Sequence, residues 1–159
     1  MEVKEVAIEE IEQIQKDWAD TVIKLGRLWQ KGKPYKEEAS QFVSRFYAYD
    51  TDHVQVLFKP TRASLQPFRM THKGALSYFV GGDLDFPEDR GFALMLWDEI
   101  EFHNQGYYKN YNMATVMGHY DFINAEKNII SVEYTFGYIR TNKGELKIFL
   151  HHSSLPYSG

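Results

Sequence analysis

The chain has 159 residues, of which 43% are hydrophobic and 25% charged, the balance of one globular domain over residues 1–159. A chain of this size buries about 70% of its unfolded surface, and the absence of cysteine excludes a disulfide framework, a Cys-ligated metal and a thiolate nucleophile. A net charge of −4 argues against general nucleic-acid binding, and the longest clean apolar run, Phe92–Trp97, is far too short to cross a membrane. The acidic start, MEVKEVAIEE, does not read as a secretory signal, so a cytoplasmic protein is expected.

The elements follow in order. Ile8, Ile11, Ile14, Trp18, Val22, Leu25 and Trp29 recur every three or four residues, one apolar stripe on a long helix that Gly32 and Pro34 end. A second helix is predicted from Tyr35 to about Tyr47, burying Ala39, Phe42, Val43 and Phe46. Asp50–Asp52 reads as a turn, and His53–Lys59 as a short strand stopped by Pro60. Thr71 is placed as the N-cap of a third helix whose apolar face is Ala75, Leu76 and Phe79 and whose end is Gly81-Gly82. The acidic segment Asp83–Arg90 is expected to be a solvated loop, since it lacks the pattern of a calcium loop. Strands are predicted at Phe92–Asn104, Tyr108–Phe122, Ile129–Thr141 and Leu146–Ser154, the last two joined by a hairpin turn at Thr141–Gly144.

Helices followed by a meander define an α+β class, with a curved antiparallel sheet wrapped around the long helix and a pocket at the wide end of the cone. The helices can cover one sheet face only. With aromatics at 16%, the other face is expected to make a homodimer.

The last strand, LKIFLHHSS, carries the most chemistry. Strict alternation puts Leu146, Ile148, Leu150, His152 and Ser154 on one face, and Lys147, Phe149, His151 and Ser153 on the other. The unbroken apolar start of the first series assigns it to the interior, so His152 and Ser154 are expected in the pocket, although a bulge would exchange the faces. Neighbouring strand histidines point apart, so a three-histidine metal site would need His103 or His119 to converge with one of them. Asp98, Glu99 and Glu101 could supply an acid–base carboxylate. No Gly-x-Ser-x-Gly elbow or phosphate loop is present.

The element order resembles the nuclear transport factor 2-like, or cystatin-like, cone. The ending KIFLHHSSLPY is similar to the last strand of the association domain of calcium/calmodulin-dependent kinase II, and more specifically to the iota-class carbonic anhydrases. VLFKPTRA, GALSYFVGGD, ATVMGHYDF and EYTFGYIRT fit that family too, so the resemblance runs from the first helix to Pro156. It implies pocket residues at Thr61, Tyr78, His152 and Ser154, both catalytic and substrate-binding, acting on carbon dioxide and bicarbonate. One histidine, two alcohols and a phenol make a poor zinc set and a good donor set for a small oxyanion, so no cofactor or metal is expected. In that reading the histidine serves as general base or orients the attacking water, and the hydroxyls hold the oxygens where charge develops. The alternatives are a ligand-binding or oligomerisation module of the kinase association-domain type, and an isomerase or cyclase of the same fold with Asp98 or Glu99 as base.

Overall fold

The computed structural model describes residues 4–159; the first three residues of the acidic N-terminal stretch lie outside the described residues. Helix α1 spans Ile8–Gln30, opened by a bond from the Ala7 N–H to the Glu10 carboxylate. It buries Ile11, Trp18, Val22 and Leu25, the centre of the predicted stripe. Helix α2 spans Lys36–Phe46, and α3 spans His72–Val80, where Thr71 Oγ1 accepts from the Gly74 N–H at 3.1 Å as the cap chemistry requires.

The sheet has five strands, β1 (Leu57–Lys59), β2 (Trp97–Asn110), β3 (Met113–Asn124), β4 (Ile129–Arg140) and β5 (Leu146–Ser154), in the order β1-β5-β4-β3-β2. Strands β2 to β5 form the expected antiparallel meander, while β1 adds an edge parallel to β5. The first strand is shorter than predicted because His53 turns the chain at φ 65° and pairing starts only at Leu57. Phe92–Met95 is a 3-10 turn rather than strand, since Gly91 and Leu96 on either side have positive φ. There α1 and the turn approach so closely that a Cβ on Gly26 would sit 2.5 Å from the Ala93 carbonyl oxygen. The β2–β3 hairpin closes at Tyr111-Asn112, later than predicted, because Gln105–Asn110 carries no inside–outside alternation to mark its continuation.

The concave face of the sheet covers α1, and the core between them is aromatic. Trp18 stacks on Tyr120 and meets Phe42, Phe79, Phe102 and Phe136 at its edges or at a tilt. Burying each such ring contributes about 1.5–3 kcal/mol of transfer free energy.

The β4–β5 ladder is irregular at one point. Gly137 pairs with Leu150, but the next residue, Tyr138, pairs with Ile148, leaving Phe149 as an extra residue in β5. Gly137 makes room for it: a Cβ there would lie 2.8 Å from the Phe149 ring and 2.9 Å from Leu150 Cβ. Leu146 and Ile148 face the core before the bulge, and His151 and Ser153 face it afterwards.

Candidate active site

The bulge decides which histidine is inside. His151 and Ser153 are 3% and 1% exposed and face Trp18, whereas His152 and Ser154 stand on the outer face beside Glu133 and Thr135. The expectation that His152 and Ser154 point into the pocket is therefore corrected: a single extra residue shifts the period-2 pattern by one and exchanges the faces.

The His151 ring lies between Phe136, at 4.0 Å, and Phe58, at 4.7 Å, stacked on both. Phe58 is its parallel partner on β1 and Phe136 its antiparallel partner on β4, so strand pairing itself builds the sandwich. Nδ1 lies 2.8 Å from Tyr47 Oη, at the end of α2. Nε2 lies 2.9 Å from Ser153 Oγ and 3.0 Å from Tyr120 Oη, and Tyr120 and Ser153 are hydrogen-bonded to each other.

Counting protons assigns the tautomer. The Trp18 indole N–H, which can only donate, donates to Tyr47 Oη at 3.2 Å. The Tyr47 hydroxyl proton then needs an acceptor in this buried corner, and among the described residues the one in reach is His151 Nδ1. Nδ1 is thus the bare nitrogen, and Nε2 carries the proton and donates to the Ser153–Tyr120 pair. That pair has two hydroxyl protons and uses one on its mutual bond, which leaves the other for the cavity. Burial holds the His151 pKa well below its ordinary value, with a smaller push from His152, so the ring stays neutral. Burial likewise raises the phenols of Tyr47, Tyr78 and Tyr120, which stay protonated and able to donate.

Thr61 and Tyr78 line the same cavity. Tyr78, on α3, accepts from the Arg62 backbone N–H at 3.3 Å, so its own proton is free to be donated. The interior space is about 10 Å³, near the lower limit for one water. Tyr78 and Phe92, stacked at 5.6 Å, separate it from a vestibule of about 310 Å³ whose mouth carries Arg62 and Arg90. No carboxylate lines the interior cavity among the described residues. Asp98 pairs instead with Arg27 at 2.5 Å, and Glu99 is exposed, so the isomerase alternative lacks its base.

The acidic loop is not simply solvated. Asp89 has no exposed side chain and makes two bonds of 2.7 Å with the fully buried Arg69 guanidinium, while Ser77 donates to it at 2.6 Å. Glu88 accepts from the backbone N–H groups of Ser64, Leu65 and Gln66. Together they tie the loop carrying Thr61 to the helix carrying Tyr78. Sequence reading missed this clamp, because nothing local links Arg69 to Asp89. It also missed Tyr47, Trp18 and Tyr120 as polar partners, although strand alternation groups Tyr120 with the apolar Ala114, Val116 and Phe122.

A curved sheet around a long helix, with a hydroxyl-lined interior site, defines a cystatin-like, nuclear transport factor 2-like protein. Solved structures at 10–15% identity share this cone and bear on the fold alone; one is a putative calcium/calmodulin dependent protein kinase II association domain from Xanthomonas campestris, 15% identical, TM-score 0.58, covering 100% of this chain and 99% of that one. A sequence model of the metal-independent carbonic anhydrase family matches residues 9–155, and the chain belongs to that family. It is 39% identical over 146 residues to a metal-independent carbonic anhydrase of Nostoc sp. (strain PCC 7120), covering 90% of this chain and 70% of the relative. The crystal structure of a cyanobacterial iota-carbonic anhydrase complexed with bicarbonate superposes with a TM-score of 0.92 at 34% identity, covering 98% of this chain and 95% of that chain.

Proposed function

We propose that the chain catalyses the reversible hydration of carbon dioxide to bicarbonate and a proton at the interior cluster of Thr61, Tyr78, Tyr120, His151 and Ser153, without a metal. The observation that carries this reading is the proton count: a neutral imidazole with its Nε2–H committed inward, backed by hydroxyls with protons to spare. Such a set favours an oxyanion. It is a poor metal site, because both His151 nitrogens are already engaged and the remaining groups are alcohols and phenols.

In hydration, a water oxygen attacks the carbon, one C=O electron pair moves onto oxygen, and the water gives up a proton. Thr61, Tyr78 and the Ser153–Tyr120 pair donate to the oxygens that gain charge, inside walls of Phe58, Phe79 and Phe92 that exclude bulk water. His151 orients this pair as a donor. Its Nε2 is already protonated, so the proton leaves past Tyr78 to water in the vestibule rather than onto the ring.

The experiment is stopped-flow carbon dioxide hydration on metal-stripped protein with excess chelator. Chelator-resistant activity is expected, reduced about 10²-fold or more in the His151→Ala/Ser153→Ala variant and retained in His152→Ala/Ser154→Ala. A rate equal to that of buffer in the wild type would move the assignment to a non-catalytic binding or oligomerisation module.

A homodimer through the outer sheet face and a cytoplasmic location belong to the same reading. The dimer is supported by Tyr108 and Met117, 67% and 62% exposed, beside a shallow, largely apolar groove of about 400 Å³. Location is checked by cell fractionation.

A further inference from the structure

The outer face of the sheet carries a group that the interior chemistry does not use. His103 on β2 lies directly opposite His119 on β3, and Asp121 follows His119 by two residues on the same face. The two imidazoles stack at 4.6 Å. His103 Nε2 is 3.2 Å from one Asp121 oxygen and His119 Nε2 is 3.9 Å from the other. One donor atom from each of the three residues lies within 4.8 Å of the other two. Ligands around a tetrahedral Zn²⁺ are about 3.3 Å apart, so movements of about 1 Å in exposed side chains would close the set.

We propose that His103, His119 and Asp121 bind a divalent first-row transition ion of the Zn²⁺ class on the outer face of the sheet, behind the interior site. Two imidazoles and one carboxylate are the donors such ions take, and hard ions such as Mg²⁺ and Ca²⁺ prefer all-oxygen sets. The backbone of two paired strands fixes the three Cα positions, so little ordering is needed on binding. The Asp121 carboxylate is already oriented by Ser131 Oγ at 2.5 Å. Among the described residues its only ion-pair partners are the two histidines, so no lysine or arginine competes with a cation. Glu101, 3.7 Å from His103 Nε2 and opposite Asp121 in the ladder, adds negative charge. His103 and His119 are 46% and 48% exposed and Asp121 19%, so an ion enters from solvent and retains water on its open side.

The test is a titration of metal-stripped full-length protein with Zn²⁺ against a chromophoric chelator, with Co²⁺ visible absorption reporting coordination. One equivalent per chain is expected. Affinity should fall at least about tenfold in His119→Ala and Asp121→Asn and stay unchanged in His53→Ala, a surface histidine elsewhere. All three positions are at or near the surface, and circular dichroism verifies that the variants fold. Equal affinity in His53→Ala and His119→Ala, or no saturable binding, overturns the site. Half an equivalent per chain also overturns it, in favour of an ion held between two copies. The readout is binding, so the result stands apart from carbonic anhydrase activity.

Discussion

At the scale of the residue, the site rests on the state of one imidazole. His151 is a donor because Trp18 can only donate and Tyr47 must pass its proton on. In Tyr47→Phe, Nδ1 loses the hydrogen bond it accepts and the tautomer preference weakens. The expected result is a shift of the His151 ¹⁵N pattern by nuclear magnetic resonance together with a lower kcat. The depressed pKa has a second consequence. The unfolded chain protonates this histidine near pH 6.5 and the folded chain does so only at lower pH, so between those values the unfolded state binds more protons. Stability from this residue is intact above about pH 6.5 and falls as pH drops, by up to about 1.4 kcal/mol per unit, levelling off below the folded pKa. Urea unfolding of wild type and His151→Gln across that range isolates the effect as a difference in slope. For the same reason His151 produces no acid limb near pH 6.5 in kcat/KM.

At the scale of the element, two non-local devices hold the site. The first is the clamp between the Thr61–Arg69 loop and α3. Removing Asp89 strands a buried guanidinium, and Asp89→Ala is expected to cost about 3–5 kcal/mol. Replacing both partners, as Arg69→Met/Asp89→Leu, should recover most of the loss in chemical denaturation, because an apolar pair leaves no buried charge. The second is the bulge. Gly137→Ala places a methyl carbon 2.8 Å from the Phe149 ring, and a loss of about 1–3 kcal/mol is expected. The same change should lower activity more than stability alone explains, because displacing Phe149 rotates His151 and Ser153 away from the cavity; activity measured well below the Tm separates the two.

At the scale of the molecule, the sheet separates two environments. Its concave side is packed with aromatic rings around one neutral polar cluster. Its convex side carries histidines and carboxylates at one end and Tyr107 and Tyr108 at the other, with Met117 bordering both. If the apolar end joins two copies, Tyr108→Lys/Met117→Lys should shift sedimentation from dimer to monomer and leave the interior hydroxyls intact. An unchanged dimer would place the interface elsewhere.

Local pattern carried most of the architecture. The stripe on α1, the cap at Thr71 and the full extent of β5 were legible because helix and strand periodicity are properties of neighbouring residues. Thr61 and Tyr78 were reached through the family resemblance, and both line the interior cavity. The orientation of the HHSS segment was not legible. Alternation over Leu146–Ser154 is unbroken in the chain, and the extra residue at Phe149 exists only because Gly137 on β4 leaves it room. The burial of Arg69 with Asp89 and the bond from Tyr47 to His151 are of the same kind. Each joins residues distant in sequence, and long-range packing rather than local propensity selects such pairs.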